Sequence, residues 1–175
     1  KTTLERQKLA AAAVAGPYLD SSFAKPVKAM FLCLEEGEAL CRAKFKLSGF
    51  GDEALGAIQL FFTWPRGFSA IDLLHRYLTE HSDVRFIVID SLTRFRMVPD
   101  VRMPPFVADY EAMSALQDMV KKHPGVCIDV IHHTRKGRSD DPIDDISGTY
   151  GLTAACDGYA VLRPHSDGAV MYIGG

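Results

Sequence analysis

The sequence predicts an α/β protein built on a mostly parallel, twisted sheet with helices on both faces. Three observations lead there. Short apolar runs alternate along the chain with stretches of helical spacing. The runs lack the in-out alternation of a half-exposed strand, as expected where both faces are covered. Several helical stretches are also long enough to serve as the crossovers that parallel strands require.

Each element follows from local chemistry. Residues 2–15 are rich in Leu and Ala and stop at Gly16-Pro17, which cannot easily continue a helix. Residues 29–34 form an apolar run expected as a buried strand, and residues 38–47 return to helical spacing with Leu40, Ala43, Lys44 and Leu47 on one side. Residues 58–62 are a second expected strand, followed by a turn at residues 64–67. Ser69 and Asp72 match a capping box, and Phe68, Ile71, Leu74 and Leu78 make the apolar stripe of the helix it opens. Phe86-Ile87-Val88-Ile89 is a third strand ending in Asp90. After a loop holding Pro99, Pro104 and Pro105, a helix is marked by Tyr110, Met113, Leu116 and Val120 and closed by Lys121-Lys122 and His123-Pro124-Gly125. Residues 126–131, 159–162 and 170–173 complete the expected sheet.

Composition narrows the class. With 47% hydrophobic and 24% charged residues the chain should fold, and its 175 residues suit a single domain spanning 1–175. Twenty Lys+Arg against 22 Asp+Glu give a net charge of −2, so any grip on nucleic acid has to come from a local patch. The apolar runs are far too short for a bilayer and the N-terminus lacks signal-peptide order, so a cytoplasmic chain with no membrane partner is expected. The cysteines, Cys33, Cys41, Cys127 and Cys156, show no C-x-x-C spacing, and neither H-E-x-x-H nor an EF-hand occurs. Buried reduced thiols and no structural metal are the expectation.

In parallel sheets ligands sit beyond the carboxyl ends of the strands. The residues there are Glu35-Glu36, Asp90-Ser91 and His132-His133-Thr134. An apolar strand ending in one acid, as at Asp90, has the form of a Walker B strand whose carboxylate holds Mg²⁺; the plain alternative is an acid capping the next turn. Lys1-Thr2-Thr3-Leu4 opening a helix matches the end of G-x-x-x-x-G-K-[ST]. There Lys1 reaches phosphate oxygens and the Thr2 hydroxyl coordinates Mg²⁺. In that company Glu35 can polarise an attacking water and His133 or His132 can sense the γ-phosphate. The alternatives are a solvated acid at a helix start and a polar strand terminus. Ser91 as a hydrolase nucleophile with His133 as base lacks the G-x-S-x-G elbow.

Over nearly its whole length the chain resembles the RecA-like P-loop ATPases of the RepA and DnaB replicative helicase type. The resemblance is carried by Lys1-Thr2-Thr3-Leu4, by Phe31-Leu32-Cys33-Leu34-Glu35-Glu36 with Arg42 beyond, and by Phe86-Ile87-Val88-Ile89-Asp90-Ser91-Leu92. It continues in Ile131-His132-His133-Thr134-Arg135-Lys136-Gly137 and in Ile146-Ser147-Gly148-Thr149-Tyr150-Gly151-Leu152-Thr153, leading to Asp157 and Arg163. It implies a RecA-like ATPase domain cut at its N-terminus within the Walker A motif, and at its C-terminus as well. Lys1, Thr2 and Thr3 would bind ATP, Thr2 and Asp90 would hold Mg²⁺, Glu35 would be the catalytic glutamate, and His133 or else His132 the γ-phosphate sensor. Residues 135–146 would line a channel for single-stranded DNA in a homo-oligomeric ring, a hexamer being one such ring, with Arg135, Lys136 and Arg138 as the DNA contacts. Asp140, Asp141, Asp144 and Asp145 follow these basic residues and oppose them, which keeps an ATP-dependent regulatory module without unwinding activity as the rival reading. The family's arginine finger has no counterpart just after Asp157, Arg163 being the nearest arginine, and Asp129 interrupts a strand that the family keeps apolar.

Overall fold

The structure is a computed structural model that describes every residue of the chain except 48, 99–101, 135, 136, 138 and 147–149. The chain divides into two units, Lys1–Arg96 with Met119–Ile131, and Met97–Asp118 with His132–Gly175.

The first unit holds helix α1 (Thr2–Val14), a two-residue hairpin of β1 (Pro17–Tyr18) and β2 (Ser21–Ser22), then β3 (Lys28–Cys33), α2 (Glu38–Lys46), α3 (Gly51–Ala57), β4 (Ile58–Phe61), α4 (Phe68–Glu80), β5 (Val84–Asp90) and α5 (Leu92–Phe95). Helix α6 (Pro105–Lys122) leads back into it and feeds β6 (Cys127–Ile131). The four long strands form one parallel sheet in the order β4-β3-β5-β6. From β3 the chain steps outward to β4, then returns past β3 to β5. Right-handed crossovers in opposite directions put α2 and α3 on one face and α4 on the other. This makes the gap between β3 and β5 a switch point of the topology, with Glu35 and Asp90 at its mouth.

Burial explains the unbroken apolar runs. Ala29, Phe31, Cys33, Phe86 and Val88 pack with Leu9, Ala10, Ala12 and Ala13 of α1 and with Cys41, Phe45 and Ala54 of α2 and α3. Met30, Leu32, Ile87 and Ile89 are directed to the other face and are equally buried. Each such side chain contributes roughly 1.5–3 kcal/mol, so the central strands are the stable frame that carries the site. The alanines of α1 let it lie close to the sheet. The helix reverses at Ala15, which takes the left-handed conformation (φ 56°) one residue before Gly16-Pro17.

Several expectations need correction. No side chain caps α4: its N-cap is Gly67 at φ 65°, a conformation glycine takes without strain, and Ser69 lies inside the helix, so the capping box does not form. Helix α6 starts at Pro105, whose fixed φ suits a first helical position, five residues before the apolar stripe reveals it. Residues 159–162 and 170–173 do not join the parallel sheet. In the second unit they form an antiparallel hairpin of β7 (Tyr159–His165) and β8 (Gly168–Gly174), because the link between them, Ser166-Asp167, is far too short for a crossover. A short 3-10 helix (Pro142–Asp145) and α7 (Gly151–Ala154) precede it. Among the described residues no helix is long and apolar enough to cross a membrane.

Candidate active site at the carboxyl ends of β3 and β5

Strands β3 and β5 run in register, Cys33 opposite Asp90, and the Leu34 N–H donates to the Asp90 carbonyl at 2.7 Å. Residues just after β3 therefore stand level with the end of β5. Asp90, only 4% exposed, accepts a hydrogen bond from the Thr2 hydroxyl at the first turn of α1. Burial pushes the Asp90 carboxyl above its ordinary value; the Thr2 hydrogen bond opposes that shift and the charge of Glu35 adds to it. Lys1, the N-cap of α1, is pushed down by burial against the pull of the Asp90 and Glu35 carboxylates. No side chain caps this 13-residue helix, so the N–H groups of its first turn face the approach to the site.

Ser91 is fully buried and donates its hydroxyl to Glu35 Oε1. The peptide bond that joins it to Asp90 is cis. Glu35 itself is exposed, so its carboxylate is reachable by water while Ser91 fixes its orientation. The hydroxyl that a hydrolase would use as nucleophile is thus given to a carboxylate.

Glu36 has a different occupation. Its carboxylate pairs with the guanidinium of Arg6, which is 2% exposed, and with Lys44 at 2.6 Å. Burial alone would raise Glu36, but the Lys44 hydrogen bond and the Arg6 and Lys44 charges hold it below the usual carboxylate value. Two adjacent glutamates are sorted this way: Glu36 ties α1 to α2, and Glu35 is left to face the site.

The donor set fits a divalent cation with a polyphosphate. Asp90 is a buried carboxylate whose ionised form is disfavoured, with a hydroxyl on it and an ammonium nearby; a hard cation there would supply the charge that burial penalises. Of the sequence-derived residues, Lys1, Thr2, Glu35 and Asp90 come together, and Thr3 is exposed on the same turn. His132, half-buried, and His133, exposed, follow β6 directly and belong to the second unit. Arg135, Lys136 and Arg138 lie outside the described residues.

Arg163 is committed elsewhere within the second unit. It is 7% exposed, donates from Nε to Asp145 at 2.6 Å and from Nη2 to the Ser139 carbonyl at 2.7 Å, and Asp145 also accepts from the Ser139 N–H. Asp129 has its account too: it pairs with Lys8 of α1. The Ser91–Glu35 hydrogen bond and the Arg6–Glu36–Lys44 cluster were missed in the sequence. Arg6 had a signal, since it lies three and four residues before Leu9 and Ala10 on the apolar face of α1, where a cation needs a partner.

Among solved structures, the chain is similar to the ATPase domain of a DnaB-type helicase, with a TM-score of 0.59 and 12% identity over 84% of this chain and 70% of that one. It is also similar to the RadB recombinase, with a TM-score of 0.58 and 19% identity over 98% of this chain and 74% of that one. No protein-family model matches the sequence, and no curated protein matches it. At these identities the likeness is one of fold.

Proposed function

We propose that this chain, whose fold is that of the RecA-like P-loop ATPases, binds Mg-ATP at the carboxyl ends of β3 and β5 and hydrolyses it as the core of a RepA/DnaB-type helicase or DNA-associated motor. The observation that carries the reading is the Thr2–Asp90 hydrogen bond. The K-T-T segment and the acid ending an apolar strand each point independently to Mg²⁺, and they meet.

Lys1, Thr3 and the open first turn of α1 hold phosphate oxygens, and Thr2 with Asp90 holds the ion. Bound there, Mg²⁺ supplies neutralisation of phosphate charge. Glu35 accepts the proton of the attacking water, its carboxylate oriented by Ser91. His133, or His132, reads the γ-phosphate from the end of β6. Arg135, Lys136 and Arg138 contact single-stranded DNA, and copies of the chain form a ring in the cytoplasm.

The test is nucleotide binding and phosphate release with and without Mg²⁺. Because the resemblance puts the glycine-rich loop ahead of Lys1, a chain carrying such a loop there is assayed beside the 175-residue chain. Mg-dependent ATP binding and turnover by the extended chain, with weak binding by the shorter one, is expected. An extended chain that neither binds nor hydrolyses ATP overturns the reading. ATP hydrolysis with no binding of single strands at low salt assigns the chain to the regulatory class instead.

A further inference from the structure

Two buried thiols bracket the segment that carries Glu35. Cys33 ends β3 and Cys41 lies in α2, and both are free and fully buried. Their sulfurs and a carboxylate oxygen of Glu36 all lie within 4.8 Å of one another, and Cys33 Sγ is 3.6 Å from Glu36 Oε1. The other cysteines, Cys127 and Cys156, lie elsewhere in the chain, on β6 and after α7.

We propose that Cys33 and Cys41 form a reversible disulfide, made by hydrogen peroxide, that withdraws Glu35 from its working position. The effect on Glu35 rests on the function proposed above; the disulfide itself does not. The pair has the asymmetry that such chemistry uses. A hydrogen bond from Cys33, together with the Arg6 charge, lowers the Cys41 thiol against the opposing effect of burial. The same hydrogen bond, with burial, raises Cys33. Cys41 is therefore the attacking thiolate, and Cys33 keeps its proton until the second step.

The Cys41 thiolate attacks one oxygen of the peroxide; an S–O bond forms, the O–O bond breaks, and the departing hydroxide takes a proton to become water. Cys33 sulfur then attacks Cys41 sulfur, the S–S bond forms, the S–O bond breaks, and that hydroxide leaves as water with the Cys33 proton. Two thiols lose two electrons and one peroxide becomes two waters. Residues 35 and 37–40 are exposed, so opening of this short segment admits the oxidant. An S–S bond of about 2.05 Å draws α2 toward the end of β3 and moves the segment between them; a displacement of about 1 Å at a general base is worth on the order of a hundredfold in rate.

A metal site is the weaker reading of the same cluster. Glu36 already serves Arg6 and Lys44, and an ion held by the two sulfurs would sit against the Arg6 guanidinium.

The test treats the 175-residue chain with hydrogen peroxide and maps its peptides without reduction. A Cys33–Cys41 link, seen as a loss of about 2 Da and restored by dithiothreitol, is expected. Cys33→Ala and Cys41→Ala should each abolish it, while Cys127→Ala and Cys156→Ala should not. Sulfinic acids without a link, links formed through Cys127 in preference, or tightly bound zinc that must be removed before oxidation each overturn the proposal. In a chain that hydrolyses ATP, the linked form should turn over at least tenfold more slowly and recover on reduction. A link with full turnover removes the regulatory role, and a link in a chain with no ATPase activity defeats only the proposed function.

Discussion

The Thr2 hydroxyl donates to the Asp90 carboxylate and so joins the start of α1 to the end of β5. The contact brings together two segments that are remote in sequence, and it holds a buried acid whose charge the free protein does not compensate well.

That acid should cost stability where it is ionised. Burial holds its folded pKa above the unfolded one, so the cost is absent at low pH, grows as pH rises through the unfolded and then the folded value, and persists above both. Asp90→Asn is expected to raise the melting temperature of the nucleotide-free chain at neutral pH and to leave it unchanged near about pH 3, where carboxylates are protonated in both forms. The same change should weaken Mg-dependent nucleotide binding. A variant less stable than the wild type at neutral pH would mean that Asp90 is a structural cap.

Glu5 makes a similar test away from the site. Burial, with the neighbouring charge of Asp129, raises its carboxyl from 4.5 to about 7 against the pull of Lys8, and its Oε2 has no hydrogen-bond partner among the described residues. The unfolded chain releases this proton first, so the penalty builds between those two values and stays above them. Glu5→Gln should stabilise the fold by about 1–3 kcal/mol at alkaline pH and by nothing near about pH 4, read from urea denaturation at each pH. An equal gain at both pH values would point to packing rather than charge.

Adjacent glutamates should fail in different ways. Glu35→Gln is expected to lower ATP turnover by on the order of a hundredfold or more with little change in affinity or melting temperature. Glu36→Gln should instead destabilise the fold by about 2–4 kcal/mol, because it weakens the pairing of the buried Arg6. Ser91→Ala should leave the fold standing and reduce turnover less than Glu35→Gln does. If turnover is lost in the Glu36 variant and kept in the Glu35 variant, the catalytic assignment is off by one residue.

What the sequence reveals of this site is whatever depends on neighbours along the chain. β3 and β5 are legible because a continuous apolar run ending in Glu35 or Asp90 is a local pattern, and α1 because Leu and Ala dominate it up to Gly16-Pro17. α3, α5 and α7 are too short for a helical period to show. β7 and β8 are legible as strands while their partners are not; Asp167-Gly168 between them was a hairpin signal outweighed by the alternating order upstream. Pairings made across the fold leave no local mark. Asp129 looks like a flaw in an apolar strand until Lys8 is seen against it, and Arg163 looks like a candidate finger until Asp145 and the Ser139 carbonyl are found holding it. A buried, twice-bonded guanidinium is a fastening for residues 139–145, and reaching a neighbouring subunit would require breaking it.

The DNA contacts rest on sequence and make a quantitative prediction. Arg135, Lys136 and Arg138 follow directly on His133-Thr134, so a loop there would change shape with the state of the γ-phosphate and couple hydrolysis to strand contact. Thr134 bridges to Ile146, and the Asp145–Arg163 pair anchors the far side, so the segment is tied at both ends within the second unit. Each cation that neutralises a phosphate of a single strand contributes roughly 0.7 to the slope of log affinity against log salt. Changing all three to Ala should therefore flatten that slope by about two units, with Asp140, Asp141 and Asp144 reducing the change in the wild-type comparison. The measurement is single-strand binding across a salt series, with the melting temperature as a control for folding. An unchanged slope in a folded variant takes this loop off the DNA surface, whereas a slope that flattens without loss of DNA-stimulated turnover separates strand contact from the coupling that a motor needs.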